Sequence, residues 1–303
     1  MIPRPSSIYS TNVDSLATIR AVQYITRMRG GAQSHLMRCS DGHYYVVKFQ
    51  NNPQHKRILV NELLGTALAA RLGLPTNPAA IVQVSEDMIR LSHELVIEMP
   101  RNRIPCQAGL QFGSRYPANP RQSKTLDFLP AQYLRQVVNL RDFAGMLVFD
   151  QWTSNMDGRQ TVFYQKASDE SLARPNPKPM SCEEPYHMAM IDQGFCFNAG
   201  EWTFHDSPIL GLYANNLVYE KVRGLDDFEP WLTELDELSL DEIFDTAKAI
   251  PLEWYESDME SLFRMLRKLH QRKKRIRELL CAVRDSSKHP FPTWVSRGMA
   301  LSA

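Results

Sequence analysis

The chain has 303 residues, and its 35 Lys and Arg against 34 Asp and Glu give a formal net charge of +1. This near neutrality argues against a dedicated nucleic-acid binder, which usually carries a broad basic excess to displace counterions from phosphates, and against a membrane-surface anchor. The composition, 43% hydrophobic and 23% charged, is that of a globular protein with one large domain or two lobes sharing a cleft.

The cysteines and the N-terminal residues predict a cytoplasmic protein. The five cysteines are scattered without a CxxC pair, which indicates neither a disulfide framework nor a zinc site. No apolar run reaches the roughly 18 residues of a membrane span, and the start MIPRPSSIYSTN lacks a signal-peptide pattern. We therefore expect a protein of the reducing cytosol that has no membrane partner.

The first half of the chain predicts an antiparallel sheet and one main helix. Three strand-like runs are separated by small-residue turns: AVQYITRM (21–28), SHLMRC (34–39) and HYYVVKFQ (43–50). The segment 58–73 has apolar residues at helical spacing and ends at Gly73. AAIVQV (79–84) and HELVIEM (93–99) predict further strands, whereas the turn formers of 104–121 predict irregular structure.

The second half predicts a long helix, a hairpin and a helical end. The apolar segment 130–152 is long enough for one buried helix of about 20 residues. TVFYQ (161–165) and HMAMIDQGFCF (187–197) predict two strands, and the Pro-, Ser- and charge-rich segment 166–185 between them predicts an exposed loop. From Leu238 onward we expect two or three helices that end at about Asp285.

Lys48 and Glu62 are the first candidates for chemistry. Lys48 is a lone cation in YYVVKF, where its neighbours predict a largely buried strand, although strand alternation also allows it to face solvent. Glu62 lies early in a mostly apolar helix, where its carboxylate is either solvated or paired. A Lys–Glu pair running from a strand to the following helix is what kinases use at the α- and β-phosphates of ATP. Since desolvating both ions is costly, such a pair indicates a polyanion site.

Another group of polar residues follows the predicted long helix. Asp150, Asn155 and Asp157 lie in FDQWTSNMDGRQ, and Asp192 lies in an apolar strand where an unpaired charge would be costly. Phosphoryl transfer needs a carboxylate that orients the acceptor hydroxyl and oxygen ligands for Mg²⁺, which these side chains supply. The alternative is a capped helix end, in which Asn and Asp only satisfy turn hydrogen bonds.

Six segments, in this order, resemble those of the HipA-like bacterial kinases, a branch of the protein-kinase-like superfamily. The segments, spread over roughly residues 20–200, are GGAQSHL, YYVVKF, VNELLGTALAARLGLPTNPAAIV, GLQFGSRY, FDQWTSNMDGRQ and MIDQGFCF. The resemblance implies an α+β, two-lobed protein-kinase-like fold, ATP with Mg²⁺, and phosphorylation of Ser or Thr on a protein. We expect a nucleotide-binding lobe with an antiparallel sheet at 1–115 and a mostly helical catalytic lobe at 116–303.

The resemblance also implies a role for individual residues. The phosphate-covering loop would be formed by five residues: Gly30, Gly31, Ala32, Gln33 and Ser34. Lys48 would bind the α- and β-phosphates, and Glu62 would orient Lys48. Asp157 would be the catalytic aspartate, and Asp192, the first residue of Asp-Gln-Gly, would be the magnesium ligand. A Gly-Gly turn alone is usually only a turn, because glycine is the default residue where φ is positive.

The sequence departs from the kinase pattern at the asparagine that binds magnesium. Kinases place it five residues after the catalytic aspartate, where this chain has Val162. In an alternative register Asp150 is catalytic, because Asn155 follows it by five residues. We prefer Asp157, because Asp150 lies within the predicted helix, and Asn155 or Gln160 would then supply the missing ligand. Both registers stay open, as does a nucleotide-binding pseudokinase that acts as an interaction module.

The C-terminal part contains two opposed charge patches. Residues 225–245 hold nine acidic and no basic side chains, and residues 264–285 hold nine basic and two acidic ones. One interpretation is that the patches face each other as packed helices; nucleic-acid binding by the basic run is the weaker alternative, because charge runs are usually solvated surfaces. The acceptor is left open between a protein and a small-molecule hydroxyl, and an antitoxin-like partner is a candidate that the sequence does not identify.

Overall fold

The computed structural model describes residues 18–120, 125–165 and 185–294. The predicted loop at 166–185 lies outside the described residues except for Pro185, and so does Cys182; the cysteines within the described ranges are free. The strands are β1 (Thr18–Arg27), β2 (His35–Cys39), β3 (Tyr44–Lys48), β4 (Ala79–Val84), β5 (Val96–Glu98), β6 (Arg103–Pro105), β7 (Gly109–Arg115), β8 (Gln160–Gln165) and β9 (Tyr186–Ile191). The helices are α1 (Ile58–Arg71), α2 (Glu86–Leu91), α3 (Ala131–Leu134), α4 (Asp142–Thr153), α5 (Trp231–Glu237), α6 (Leu240–Ala247), α7 (Met259–Arg272) and α8 (Ile276–Arg284). None of these helices has both the length and the apolar composition needed to cross a bilayer.

Five strands form a closed barrel in the order β1-β2-β3-β7-β4. Neighbouring strands are antiparallel except β1 and β4, which run parallel and close the barrel. The predicted antiparallel sheet is therefore correct for four of the five pairings. The mixed pairing follows from the chain path, because α1 lies between β3 and β4 and returns the chain to the edge beside β1.

The prediction of irregular structure at 104–121 is wrong, because β7 lies there, between β3 and β4. Its glycines suggested turns. Gly113 pairs with Val47 on one side and Ala80 on the other, and a Cβ built at Gly113 would lie 2.5 Å from Val82 Cγ2. This glycine therefore permits close packing inside a strand rather than a turn.

The predicted continuous helix at 130–152 is interrupted between α3 and α4. Asn139 in the interruption donates from Nδ2 to the Met188 carbonyl at 3.0 Å and accepts from the Met188 N–H at 3.0 Å. The Val138 N–H donates to the carbonyl of Tyr186. These residues thus exchange hydrogen bonds with β9 instead of continuing a helical ladder, which is a tertiary contact that periodicity does not reveal.

Two hydrophobic cores hold these elements together. The smaller one fills the barrel, and the larger one is formed by α1, α4, the β8–β9 hairpin and the C-terminal helices. Because α1 contributes Leu59, Leu63 and Leu68 to the larger core, it joins the barrel to the helical part. The lobe boundary between residues 115 and 116 stays a prediction.

The acidic and basic patches meet only in part. Arg277 of α8 pairs with Asp236 of α5 at 2.8 Å, and Lys273 donates to the Asp236 carbonyl at 3.2 Å. Glu234 and Glu242, in contrast, pair with Arg71 at the end of α1. The acidic helices therefore lie between the basic segment and α1, and the charges of both patches are partly compensated within the molecule.

A buried histidine makes the barrel sensitive to acid. His35 is fully buried against Phe49, with its Nε2 3.6 Å from the Cys106 Sγ, and burial lowers the pKa of His35 from 6.5 to about 4. The His35 side chain binds a proton more tightly in the unfolded chain than in the folded one. The stability that the neutral histidine contributes is therefore fully present above pH 6.5 and is lost as the pH falls towards 4. We expect the free energy of unfolding to drop by about 1–2 kcal/mol from pH 7 to pH 5 in urea titrations. His35→Gln should remove most of that drop; an unchanged drop would contradict this role of His35.

Candidate active site

Lys48, Glu62 and Asp192 form one buried ionic cluster. Lys48 ends β3 and its Nζ pairs with the Glu62 carboxylate of α1 and, at 2.6 Å, with Asp192 Oδ1. The first two side chains are almost fully buried, while the Asp192 side chain is 29% exposed. The cluster therefore has one open side, at Asp192.

Lys48 and Asp192 stabilise each other's charged forms, whereas burial and the Asp192 carboxylate raise the pKa of Glu62. Burial alone would lower the pKa of Lys48, but Asp192 and Glu62 outweigh it, so the pKa of Lys48 is raised. Burial would raise the pKa of Asp192, but the Lys48 ammonium and its hydrogen bond hold that pKa below its ordinary value. A permanently charged lysine beside an ionised carboxylate is a suitable site for phosphate and a cation together.

The prediction places Asp192 within a strand over 187–197, but β9 ends at Ile191 and Asp192 is the first residue after it. Its backbone is left-handed, with φ of 62°. The next two N–H groups, of Gln193 and Gly194, donate to the Glu62 carboxylate at 3.1 and 2.9 Å. The same glutamate thus holds both Lys48 and the backbone that carries Asp192.

Asp157 lies in the loop between α4 and β8 and is partly exposed. Its Oδ1 accepts from the Gly158 N–H at 2.8 Å, and its Oδ2 accepts from Gln160 Nε2 at 2.9 Å. Gln160 is exposed and pairs across the hairpin with Ile191, the neighbour of Asp192. Asp157 therefore presents a carboxylate towards solvent next to the strand that leads to Asp192.

Asp150, the catalytic residue of the alternative register, lies in α4 as predicted and has no exposed surface. Its carboxylate accepts from Arg159 in a bidentate pair, with Nε to Oδ2 at 2.8 Å, and from Asn155 Nδ2 at 2.9 Å. Asn155 is also buried, and its Oδ1 accepts from the Asp157 N–H at 3.2 Å. Both polar ends of Asn155 are thus occupied within the loop.

The Asp157 loop and the chain after β9 are hydrogen-bonded to each other. Arg159 Nη1 donates to the carbonyl of Ile191 at 2.8 Å. The Met156 N–H donates to Phe195, and the Phe197 N–H donates to Thr153. The two candidate aspartates, 35 residues apart in sequence, therefore belong to one hydrogen-bonded unit.

The glycine-rich turn connects β1 and β2. Gly30 and Gly31 are exposed, and Gly30 has φ of 119°, which favours glycine. Ala32 and Ser34 are buried. The Gln33 side chain turns towards β5, where it donates to the Glu98 carbonyl at 2.8 Å and accepts from the Glu98 N–H at 2.7 Å. Gln33 thus anchors the turn to β5, while Gly30 and Gly31 stay exposed to solvent.

The donor set for a metal is small. No group of three His, Cys, Asp or Glu side chains within the described ranges is arranged to hold a metal ion. Val162, at the position expected for the second ligand, is buried on β8 opposite Ala189. Asp192 and the exposed Gln160 are the predicted ligands with the greatest access, which suits a cation that takes its other ligands from phosphate and water.

Comparison with known sequences decides the family. The model of the HipA-like kinase family matches residues 21–286. This chain is a member of the HipA-like kinase family. The match confirms the predicted resemblance and extends it through α8. No curated protein gives a significant match to the sequence.

Solved structures similar to this HipA-like kinase have low sequence identity. The Golgi casein kinase with Mn and ADP bound is 11% identical, with a TM-score of 0.49 over 94% of this chain and 78% of that chain. A second Golgi casein kinase structure is 13% identical with a TM-score of 0.42 over the same shares. Hydra Fam20 with sugar is 9% identical, with a TM-score of 0.44 over 91% of this chain and 88% of that chain. No functional conclusion follows from likeness at this level.

Two side chains of this HipA-like kinase site were missed in the sequence. A basic residue in a polar loop is usually solvated, which predicts an exposed Arg159, but Arg159 is buried against Asp150. Asn61 lies in a helix predicted from its apolar residues alone, yet it is fully buried beside Glu62. Asn61 directly precedes the candidate Glu62, and Arg159 follows the candidate Asp157 by two residues; this proximity in sequence is the signal that could have found both.

Proposed function

We propose that this HipA-like kinase is an ATP- and Mg²⁺-dependent phosphotransferase that phosphorylates Ser or Thr hydroxyls on a protein. The observation that supports this most is the ionic cluster of Lys48, Glu62 and Asp192, hydrogen-bonded through the backbone to the loop that carries Asp157. Buried ion pairs cost desolvation energy, and binding of a polyanionic ligand to the cluster would offset that cost.

The roles follow from the surroundings of each residue. Lys48 would bind the α- and β-phosphates while Glu62 keeps it in place, and the exposed backbone of Gly30 and Gly31 would cover the phosphates. Asp157, with one face open to solvent, would accept the proton of the acceptor hydroxyl. The Asp150–Arg159 pair would hold the loop in shape, which makes Asp157 the catalytic aspartate in our proposal.

Magnesium would be held by Asp192, with Gln160 as a second ligand. When bound, Mg²⁺ neutralises charge on the transferring phosphoryl group. Asn155 fits a ligand role less well, because Asp150 and the Asp157 N–H already occupy its side chain. Lys48 keeps its charge, because the neighbouring carboxylates raise its pKa, so the contribution of the protein would be mainly positioning.

The acceptor class and partners rest on the family alone. A protein hydroxyl is our proposal, and a small-molecule hydroxyl is the alternative. An antitoxin-like partner and a cytoplasmic location stay predictions.

A pseudokinase is the second candidate, and the buried Val162 favours it. With an apolar side chain at a metal position, ATP would bind and stabilise the fold without turnover. Phosphate transfer by the purified wild type separates the two candidates, because ligand binding alone produces only a stability increase.

Nucleotide binding is expected to depend on Lys48. For wild type at an ATP concentration 100 times the dissociation constant, the stability should rise by about 2.7 kcal/mol. Lys48→Met removes the cation that would meet the phosphates, and we expect ATP to give less than a tenth of the wild-type thermal shift. Lys56→Met, which removes a half-buried lysine before α1 that pairs with Glu256, is the matched control. An equal shift in wild type and Lys48→Met would contradict the phosphate role of Lys48.

A further inference from the structure

Asn61 of α1 holds the chain that follows Asp192, residues 192–202, which we call the post-β9 segment. The Asn61 side chain is fully buried. Its Nδ2 lies near three carbonyl oxygens of the segment: Gly194 at 2.8 Å, Cys196 at 3.0 Å and Ala199 at 2.8 Å. Trp202 Nε1 donates to Asn61 Oδ1 at 2.9 Å, which fixes the orientation of the amide. A single side chain thus connects four points of the segment.

The post-β9 segment has a strained backbone. Five of its non-glycine residues have left-handed φ angles: Asp192 at 62°, Phe197 at 58°, Asn198 at 58°, Ala199 at 54° and Trp202 at 53°. Each such residue costs of order 1 kcal/mol and persists only where the surroundings enforce it. The segment therefore needs an external support to keep this conformation.

Helix α1 provides that support through neighbouring residues. Glu62 accepts from the N–H groups of Gln193 and Gly194, while Asn61 donates to carbonyls further along. Gly65, one turn later, leaves room for Gln193, whose Cβ lies 2.8 Å from the position that a Gly65 Cβ would take. Arg57, before the helix, donates to the Gly200 carbonyl at 3.1 Å and lies over the Trp202 ring. The whole segment is docked on one face of α1.

We propose that Asn61 is a positioning residue that sets the location of Asp192, a role which rests on the proposed function. Glu62 holds Lys48, and Asn61 holds the segment that begins with Asp192. One turn of α1 therefore positions both the phosphate-binding cation and the metal-binding carboxylate. Loss of Asn61 would free the carbonyls of the segment and let Asp192 shift, while Lys48 and Glu62 stay paired. The expected defect is in metal binding and turnover rather than in nucleotide binding.

An Mn²⁺ titration of the protein in the presence of ADP tests this directly. Binding is measured as the loss of the EPR signal of free Mn²⁺. In Asn61→Ala the affinity for Mn²⁺ should fall about tenfold, whereas the affinity for ADP without metal should change less than threefold. In assays of phosphate transfer, kcat should fall at least tenfold with KM for ATP within threefold. Thr66→Ala, a buried polar residue on the same helix, is the control and should leave both affinities at the wild-type level.

Trp202→Phe keeps the test valid where Asn61→Ala does not fold. It removes the donor to Asn61 Oδ1 and part of the buried ring while keeping an aromatic side chain. Mn²⁺ affinity should fall about threefold, with faster amide hydrogen exchange confined to 194–202. Unchanged Mn²⁺ affinity and exchange in a folded variant would overturn the role of Asn61 while leaving the proposed function intact. Failure of the wild type itself to bind Mn²⁺ with ADP would instead overturn the proposed function, and the role of Asn61 with it.

Discussion

Replacing Asp192 with Asn should lower the rate of phosphate transfer about a thousandfold, because it removes the proposed carboxylate ligand of the metal. The variant keeps the Lys48–Glu62 pair and the size of the side chain, so its affinity for ATP without metal should stay within a few-fold of wild type. Initial rates with γ-labelled ATP and Mg²⁺, together with ATP binding measured calorimetrically, check both parts.

Asp87→Asn is the control for Asp192→Asn, since it makes the same charge change in an exposed pair with Arg90 on α2. Its transfer rate should equal that of wild type. A wild-type rate in Asp192→Asn would remove Asp192 from the metal site, whatever its place in the ionic cluster.

Asp157→Asn and Asp150→Asn should fail for different reasons. Asp157 is partly exposed and outside the larger core, so its variant should fold with unchanged stability and lose transfer about 10²–10⁴-fold, the usual effect of a catalytic base. Asp150→Asn leaves the buried Arg159 without its ionic partner, so the free energy of unfolding should fall by about 3–5 kcal/mol. Urea unfolding and transfer rates on both variants separate the two registers.

A double-mutant cycle sharpens this comparison. Adding Arg159→Gln to Asp150→Asn removes the unpaired cation, and the double variant should regain part of the lost stability. The alternative register predicts that Asp157→Asn stays active, whereas Asp150→Asn loses transfer in addition to the stability that the broken Arg159 pair costs in either register. That result would move the catalytic role to Asp150.

The sequence was sufficient for the elements whose side chains decide their conformation locally. The predicted helix at 58–73 and strand at 79–84 agree closely with α1 and β4. In each segment the spacing of the apolar residues is typical of that type of element. β7 was missed because Gly113 suggests a turn until the packing of Val82 against it is known. The break at Asn139 was missed because its partner, Met188, lies on a strand far along the chain.

The candidate site was predictable to a similar extent. Lys48 and Glu62 could be paired from sequence, because a charged residue in an apolar strand and another in an apolar helix need partners. The third member, Asp192, was suspected for the same reason, but its contact with Lys48 depends on where β9 ends. The supports of the site have partners that the residue pattern does not specify, because Arg159 pairs with the Asp150 carboxylate and the Ile191 carbonyl, and Asn61 donates to backbone carbonyls.

The most direct test of the central claim is the transfer of label from γ-labelled ATP with Mg²⁺ to a protein hydroxyl, measured side by side for wild type and Asp157→Asn at matched ATP occupancy. We predict phosphoserine or phosphothreonine in the wild-type reaction and at least a hundredfold less in the variant. ATP binding by the wild type without any transfer, or equal transfer by the two proteins, would contradict a phosphotransferase that works through Asp157.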